Sequence, residues 1–217
     1  MLNVSKNILV TGSSGFIGFN LAKHLLSEGH NVTGIDSFNK AYDPNFKRIR
    51  QQILKKYPKF KDYELNLDIY ENLEHINDSE DVNYDVVFHL AARAGVRQSF
   101  LDPVSYIKDN AIGTTNVANF VKECKIKKLI LASTSSIYGN SGTNKMIEGV
   151  DEKIEPPSIY AASKLSGEVF AKNILENSET NLIITRFFTV YGPFGRPDMS
   201  VLRFIHWIVE GKKVNLF

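Results

Sequence analysis

A glycine-rich loop between a strand pattern and a helix pattern restricts the fold of this chain more than any other feature. Residues 6–11 form a short apolar, β-branched run, and Thr-Gly-Ser-Ser-Gly-Phe-Ile-Gly occupies positions 11–18. Helical periodicity continues through residues 19–28, and residues 31–36 form a second apolar strand pattern that ends on an acid. This order of strand, glycine loop, helix and strand predicts a dinucleotide-binding βαβ unit.

The glycines and the acid of this unit indicate how a cofactor would be held. Glycine lets the backbone turn tightly and approach a pyrophosphate, whose negative charge is favoured by the N-terminus of the following helix. Asp36 lies 18 residues after Gly18. A carboxylate at this position can accept a hydrogen bond from a ribose 2′-hydroxyl and repels a 2′-phosphate. The sequence therefore predicts NAD rather than NADP as the cofactor.

The rest of the chain alternates strand and helix patterns, which predicts one doubly wound α/β domain with a parallel sheet, a Rossmann fold. A proline-rich break at residues 155–158 precedes a helix that carries Tyr160 and Lys164. Further strands are predicted at residues 63–67, 84–90, 127–132, 182–187 and 214–217, and further helices at 43–57, 71–76, 102–124 and 201–209.

Composition and charge argue against several classes of function. A formal net charge of +2 over 217 residues gives no reason to expect nucleic acid or an acidic membrane as a partner. Residues 47–61 are rich in charge but interleave apolar side chains, so we interpret them as a solvated helix face. Cys124 is the single cysteine, which predicts no disulfide framework and no metal site built from cysteines. Neither a signal-peptide pattern nor a membrane-spanning apolar run is found, which favours a cytoplasmic protein.

The motif Tyr-Ala-Ala-Ser-Lys at residues 160–164 contains a candidate base. Tyr160 and Lys164 are four residues apart, so on a helix they lie one turn apart on the same face. A phenol titrates near pH ~10 in water, and a neighbouring ammonium group lowers that pKa by stabilising the phenolate. The alternative is an ordinary exposed tyrosine and lysine, and the motif alone does not decide between the two.

Two further stretches fall where parallel strands end. Residues 133–136 read Ser-Thr-Ser-Ser at the end of a predicted central strand, where open α/β sheets bind ligands, although a serine-rich turn is an alternative. His89 closes an apolar strand, and we interpret it as a structural residue with satisfied hydrogen bonds. Small residues follow it, which leaves room for a ligand; they are Ala91, Ala92, Ala94 and Gly95.

In combination, these motifs resemble the extended short-chain dehydrogenase/reductase family over nearly the whole chain. The glycine loop, Asp36, Asp68-Ile69, the His-Leu-Ala-Ala run at 89–92, the hydroxyl cluster and the Tyr-x-x-x-Lys motif occur in the order and spacing of that family. Members bind NAD(P) on the sheet and act on nucleotide-sugars. The resemblance implies that NAD is bound by Gly12, Gly15, Phe16, Ile17, Gly18, Asp36, Ser37, Asn39, Asp68, Ile69, Leu90, Ala91, Ala92, Ser133, Tyr160 and Lys164.

Four finer stretches look like the UDP-glucuronate epimerase branch of the family; they are residues 34–39 with 42–44, 94–97, 186–193 and 195–199. This likeness implies inversion at C4 of a UDP-sugar through a 4-keto intermediate, in polysaccharide biosynthesis. Thr134, Tyr160 and Lys164 would be the catalytic residues. The likeness also implies a homodimer formed through residues 102–124 and 158–175. Substrate contacts would come from Gly95, Ser135, Ser136, Thr189 and Arg196.

Two alternatives to this activity stay open. A nucleotide-sugar 4,6-dehydratase needs an additional acid and base, and dehydratases place Asp-Glu directly after the catalytic threonine, where this chain has Ser135 and Ser136. The branch members continue well beyond the position of Phe217. We therefore divide the chain into an NAD-binding domain at 1–188 and the start of a sugar-nucleotide domain at 189–217. The second alternative is an NAD-binding module without turnover.

Overall fold

Six parallel strands form the sheet of this protein. The computed structural model describes residues 4–80, 83–139 and 155–214. Neighbouring strands follow the order β3-β2-β1-β4-β5-β6, so the direction of winding reverses between β1 and β4, as predicted for a doubly wound sheet. The strands are β1 (Asn7–Thr11), β2 (Asn31–Asp36), β3 (Phe60–Glu64), β4 (Val86–His89), β5 (Lys128–Thr134) and β6 (Asn181–Phe187).

Helices connect the strands and cover the sheet. A π-helical segment (Ile107–Ile112) precedes one of them, and a 3₁₀ turn (Ser135–Tyr138) directly follows β5. The α-helices are α1 (Phe16–Ser27), α2 (Pro44–Leu54), α3 (Glu71–Glu80), α4 (Val96–Leu101), α5 (Pro103–Tyr106), α6 (Gly113–Glu123), α7 (Ile159–Leu175) and α8 (Ser200–Val209). Among the described residues, none of the helices is long and apolar enough to cross a membrane.

Both faces of the sheet are buried, which β1 illustrates. Alternate residues of a strand point to opposite faces. Leu9 belongs to a core cluster with Val117 of α6, whereas Ile8 and Val10 belong to a second cluster with Phe19 of α1. This two-sided burial explains why the strands read as continuous apolar runs.

Local capping fixes where two helices begin. Asp43 accepts a hydrogen bond from the Asn45 N–H at 2.9 Å, and Pro44 occupies the first helical position of α2. Ser158 accepts from the Ala161 N–H at 3.1 Å, so α7 begins at Ile159 and carries Tyr160 in its first turn. The predicted helix with Tyr160 and Lys164 one turn apart is confirmed.

The prediction of a strand at residues 63–67 was wrong by three residues. Strand β3 begins at Phe60, whose side chain is buried beneath β2, and it ends at Glu64. Leu67 is also buried, but as part of the loop that follows the strand, in the cluster that contains Val117. The apolar side chains of the loop therefore imitated a strand pattern.

The long helical stretch predicted at residues 102–124 is confirmed in its extent, but it is not one regular α-helix. The chain is helical from Val96, breaks at Asp102 with φ −139°, and continues through α5 and the π-helical segment into α6. Asp102 accepts from the Ser105 N–H at 3.3 Å, and Pro103 starts α5. In the π-helical segment, Asn110 turns its side chain towards the loop after β4 and bonds the backbone of Arg93 there.

The segment after β6 forms a loop and then α8. None of the residues of α8 is buried. Of the strand predicted at 214–217, residues 215–217 lie outside the described residues. The domain boundary at residue 188 stays a prediction.

Candidate active site

A cavity of about 450 Å³ opens at the carboxyl ends of β1, β2, β4 and β5, at the point where the strand order reverses. Ile69 is the exception among the predicted site residues, because it lies outside the cavity lining and is 46% exposed. The predicted residues that line the cavity are Gly12, Gly15, Phe16, Ile17, Gly18, Asp36, Ser37, Asn39, Asp68, Leu90, Ala91, Ala92, Gly95, Ser133, Thr134, Ser135, Ser136, Tyr160, Lys164, Thr189 and Arg196.

The glycine loop forms a cradle that no larger residue could form. Gly12 has φ +69°, and a Cβ atom there would lie 2.8 Å from the backbone nitrogen of Ala91. A Cβ atom at Gly18 would lie 2.1 Å from the carbonyl oxygen of Gly12. Helix α1 begins at Phe16 beside the cavity, after Gly15, which has no side chain to cap the first N–H groups. The cradle and the helix N-terminus fit the pyrophosphate of a dinucleotide.

Asp36 lies at the end of β2 in a dense set of hydrogen bonds. Its Oδ2 accepts from the Ser14 N–H at 3.2 Å, and its Oδ1 accepts from the Phe38 N–H at 2.9 Å. Lys47 donates from Nζ to the same Oδ1 at 3.1 Å and to Asn39 Oδ1 at 3.1 Å. The carboxylate that was predicted to select the cofactor is therefore paired with a buried cation.

The interpretation of residues 47–61 as a solvated helix face was wrong at its N-terminal end. Lys47, Arg50 and Gln51 are buried together with Leu54. These positions have the spacing i, i+3, i+4 and i+7 of one helix face. Long cationic side chains can belong to a buried helix face, so this spacing is a signal that the sequence already contains.

The phenol of Tyr160 and the side chain of Thr134 lie together in the lining of the cavity. Burial raises the pKa of Tyr160 above its ordinary value, and the Thr134 side chain and the positive charge of Arg196 oppose this rise. Desolvation of the phenol is the largest cause of the shift, and the predicted lowering of this pKa by Lys164 stays a prediction.

Lys164 projects from α7 one turn after Tyr160 and is almost fully buried. Burial lowers the pKa of its ammonium group to about 8, and the negative charge of Glu168 opposes this fall. The lysine is therefore close to losing its charge at mildly alkaline pH.

Glu168 is a buried acid that the sequence analysis missed. It accepts from Arg186 Nε at 3.0 Å and from Arg186 Nη2 at 2.8 Å, and the Ser133 hydroxyl also donates to it. Ser133 therefore lines the cavity, but its hydroxyl is bonded to a buried side chain and not directed at a ligand. Glu168 lies one helical turn after Lys164, and this spacing is the signal by which the sequence could have identified it.

His89 is structural, as predicted. Its Nδ1 lies 2.7 Å from Thr11 Oγ1 and its Nε2 lies 3.0 Å from Thr114 Oγ1, so both ring nitrogens have a hydroxyl partner. Burial, followed by the positive charge of Lys164, lowers the pKa of His89 to about 3. The ring is neutral and ties β1 and β4 to α6.

Hydroxyl and guanidinium groups line the cavity near Tyr160. Thr134 Oγ1 accepts from the Ser136 N–H at 3.1 Å, which shapes the 3₁₀ turn that carries Ser135 and Ser136. Thr189 and Arg196 reach the cavity from the loop after β6. Together these side chains provide hydrogen-bond donors for an anionic group.

The backbone near Gly95 is held by a tyrosine. Gly95 has φ +126°, and the Tyr106 hydroxyl donates to the carbonyl oxygens of Ala94 at 3.2 Å and Gly95 at 2.9 Å. The ring of Tyr106 contacts that of Tyr160 edge to face, with centroids 6.3 Å apart. Tyr106 therefore supports both the predicted substrate contact at Gly95 and the candidate base.

Within residues 4–80, 83–139 and 155–214, no three or more side chains of His, Cys, Asp or Glu are grouped so that they could hold a metal ion. The cavity lining offers hydroxyl, ammonium, guanidinium, phenol, carboxylate and amide groups.

Known proteins of one family are similar to this chain in sequence and in fold. The family model for the NAD dependent epimerase/dehydratase family matches residues 8–217. A UDP-glucuronate 4-epimerase of Thermodesulfobacterium geofontis is 42% identical over 210 residues, which cover 96% of this chain and 64% of the relative. The Bacillus cereus UDP-glucuronic acid 4-epimerase, solved with UDP-glucuronic acid and NAD, superposes with a TM-score of 0.87 at 35% identity, over 97% of this chain and 65% of that one.

A dTDP-glucose 4,6-dehydratase of Streptomyces venezuelae has the same fold, with a TM-score of 0.84 at 23% identity. The chain spans about 65% of the length of the T. geofontis and B. cereus relatives. The family resemblance drawn from the motifs is confirmed. This chain belongs to the NAD-dependent epimerase/dehydratase family.

Proposed function

We propose that this chain carries the cofactor-binding and catalytic part of a UDP-glucuronate 4-epimerase, which inverts C4 of the sugar through a transient 4-keto intermediate. One observation supports this most strongly. The cavity that contains the glycine cradle, Thr134 and Tyr160 also contains Arg196, whose positive charge opposes the rise in the pKa of Tyr160. A cation that close to the base suits a sugar with a carboxylate next to the reacting carbon.

Tyr160 would act as the base. As a phenolate it takes the proton of the sugar 4-hydroxyl, and Thr134 bridges that oxygen and the phenol. The same phenol returns a proton when the 4-keto sugar is reduced on its other face. NAD, when bound, supplies the acceptor for the C4 hydride and a positive charge that favours the phenolate.

Lys164 would orient the cofactor by bonding the nicotinamide ribose. Its pKa of about 8 means that the ammonium form predominates at pH 7. A charged lysine one turn from Tyr160 would add to the positive potential that favours the phenolate when NAD is bound. Asp36 and the glycine cradle would hold the adenosine ribose and the pyrophosphate.

The carboxylate of the sugar would bind the donors beside the 3₁₀ turn. Ser135, Ser136 and Thr189 offer hydroxyl groups, and Arg196 offers charge. Serines at the two positions after Thr134 also argue against a 4,6-dehydratase, because neither hydroxyl suits general acid or base work near neutral pH.

A binding module without turnover is the second candidate, and one fact favours it. Phe188 lines the cavity yet is 61% exposed, and in our prediction the sugar lies between residues 1–188 and the part that follows them. NAD binding without catalysis would distinguish this candidate from the epimerase.

We also propose a homodimer formed through the helices at residues 102–124 and 158–175, and a cytoplasmic location in polysaccharide biosynthesis. Apolar side chains that are exposed on and near these helices support the dimer; they are Phe100, Leu101, Val104, Ile107, Ile112, Val169 and Phe170. Burial of such a surface is the usual driving force for association.

The decisive experiment incubates the purified chain with NAD and UDP-glucuronate and follows formation of the C4 epimer by proton NMR. We expect epimer from the wild type and none from Tyr160→Phe, which lacks only the ionisable oxygen. Tyr57→Phe, in the turn after α2, is the matched control and should retain the wild-type rate.

NAD titrations of the same proteins should give equal affinities for the wild type and Tyr160→Phe. Epimer formation by Tyr160→Phe would place the base elsewhere. NAD binding by the wild type with no epimer after prolonged incubation would favour the binding module.

A further inference from the structure

A buried arginine connects the cofactor side of the cavity to the loop that carries Arg196. Arg50 is 1% exposed. Its Nη1 donates to the Ser14 carbonyl at 3.2 Å and to the Tyr42 hydroxyl at 2.7 Å. Its Nη2 donates to the carbonyls of Phe194 at 2.8 Å and Gly195 at 3.1 Å. One guanidinium group therefore holds both the glycine loop and the backbone next to Arg196.

The same loop is attached to α1. Asn20 donates to the Pro193 carbonyl at 3.1 Å, and the ring of Phe194 contacts that of Phe19 edge to face at 4.8 Å. Phe194 has φ +60°, a conformation that a bulky residue adopts only when its surroundings impose it. The loop therefore has one imposed conformation, and Arg50 makes two of its backbone contacts.

Tyr42 forms a second link between the two arginines. Its hydroxyl accepts from Arg50, and the guanidinium of Arg196 lies 5.7 Å from the centre of its ring. Asp198 accepts from Arg196 Nε at 3.0 Å and Nη2 at 2.6 Å. Arg50 thus supports both the backbone on which Arg196 stands and the ring over which its charge lies.

We infer that Arg50 is a positioning residue that sets the preference of the site for a sugar carboxylate by holding Arg196 in place. The inference rests on the proposed function, because it takes Arg196 as the group that meets the carboxylate. Asp198 occupies Nε and Nη2 of Arg196, so the sugar carboxylate would meet the remaining Nη1 edge of the guanidinium. A hydrogen bond to that edge needs a narrow geometry, so a small displacement of the loop weakens the contact. Arg50 itself is engaged with protein groups and would not touch the sugar.

The test measures the affinities of UDP-glucuronate and UDP-glucose for the NAD-loaded chain by calorimetry. The two ligands differ in the carboxylate, so their ratio of dissociation constants reports on the contact with Arg196. We expect Arg50→Met to lower the preference for UDP-glucuronate by about tenfold, the scale of one weakened hydrogen bond to a charged group. Arg48→Met is the matched control, because Arg48 lies on the same helix but bonds Glu64.

A double variant separates positioning from general damage. If Arg50 acts through Arg196, Arg196→Met should lower the preference at least as much as Arg50→Met does, and adding Arg50→Met should change the ratio no further. Arg50→Lys keeps the charge but cannot bond all four acceptors. It should therefore regain less than half of the preference for UDP-glucuronate that Arg50→Met loses. Losses that add in the double variant, or a wild-type ratio in Arg50→Met, would overturn the inference.

Arg50→Met leaves buried carbonyl groups without a donor, so its folding needs a second approach. Asn20→Ala removes another anchor of the same loop from a more exposed position and should lower the same ratio at least threefold. If Arg50→Met does not fold, the test rests on Asn20→Ala. An unchanged ratio of dissociation constants in Asn20→Ala then contradicts the inference. A wild-type chain that binds both UDP-sugars equally contradicts the proposed function and the inference with it.

Discussion

Lys47 alters the effect that Asp36 has on cofactor choice. An isolated carboxylate at the end of β2 would repel a 2′-phosphate, but Lys47 donates to Asp36 Oδ1 and both side chains are buried. The pair has no net charge. We therefore expect the preference for NAD over NADP to be weaker than it would be with an unpaired acid at this position. Asp36 has two roles in this prediction: it bonds the ribose of the cofactor, and it pairs with the ammonium group of Lys47.

This arrangement predicts a change in cofactor preference. Asp36→Asn leaves the ammonium of Lys47 without its carboxylate beside the expected 2′-position of the ribose. We expect the ratio of NADP to NAD affinity to rise at least tenfold, since a charge-assisted contact to a phosphate replaces a repulsive one. Titration of both cofactors onto the purified chain gives the ratio.

The control for this prediction is the double variant Asp36→Asn with Lys47→Met. It lacks the cation and should lose most of the gain in NADP affinity. If Asp36→Asn binds NADP no better than the wild type does, Lys47 does not face the 2′-position.

The buried ammonium of Lys164 gives the stability of the chain a pH dependence. The pKa of Lys164 falls from 10.5 to about 8 on folding, so the unfolded chain binds more protons between these pH values. The free energy of unfolding contributed by Lys164 therefore rises with pH across that window. Below pH 8 both states carry the charge, and the folded state bears the full cost of desolvation.

Lys164→Met should therefore stabilise the fold at pH 7, by about 2 kcal/mol in the free energy of unfolding, and weaken NAD binding. The gain should shrink as the pH approaches 10.5. Urea unfolding at a series of pH values measures it, with Lys172→Met on the exposed side of α7 as the control. A difference that does not depend on pH would show that packing, rather than the charge, causes the effect.

At the scale of elements, the sequence predicted the parts of the fold that local rules determine. The glycine loop and Asp36 identified β1, α1 and β2 because tight turns and strand ends need particular residues at fixed positions. The predicted bounds and helix type were wrong where tertiary contacts determine the backbone conformation. Leu67 is buried without being in a strand, and Asn110 bonds the backbone of Arg93 through a π-helical segment that periodicity cannot indicate.

The site was predictable to a similar extent and for the same reason. Tyr160, Lys164 and Thr134 belong to short motifs, and the structure places all three in the cavity. Lys47 and Arg50 were missed because a cation in a sequence is ordinarily assigned to the surface. Burial of such a cation depends on acceptors elsewhere in the fold, and for Arg50 one of them is the Phe194 carbonyl, far along the chain.

The π-helical segment carries a prediction about stability. The Asn110 side chain accepts from the Arg93 N–H at 2.7 Å and donates to the Arg93 carbonyl at 3.0 Å and to Ser163 Oγ at 2.9 Å. Asn110→Ala leaves these buried groups without partners and should lower the free energy of unfolding by about 2–4 kcal/mol.

Urea unfolding of Asn110→Ala tests this, and Asn173→Ala is the matched control. Asn173 lies on the exposed side of α7 and bonds only the Val169 carbonyl of its own helix among the described contacts, so the control should change stability by less than about 0.5 kcal/mol. Equal effects of the two substitutions would mean that the segment relaxes when Asn110 is lost.

At the scale of the whole molecule, the two sides of the cavity differ in how firmly they are built. The cofactor side rests on two core clusters that cover both faces of the sheet. On the sugar side, Phe188 lines the cavity yet is 61% exposed, and α8 buries none of its residues. This asymmetry accompanies a chain that spans about 65% of the relatives it matches.

The 217-residue chain, purified as such, should therefore bind NAD but epimerise UDP-glucuronate far more slowly than about 1 per second, an ordinary enzyme rate. A half-open sugar site lets water reach the keto intermediate, and it orients C4 poorly. Misplacement of a reacting group by ~1 Å already costs about 100-fold in rate. Steady-state NMR of the wild type, with Tyr160→Phe as the blank and NAD affinity measured in parallel, decides the matter. Turnover at or above that rate would mean that a second copy of the chain, or the loop around Arg196, closes the site.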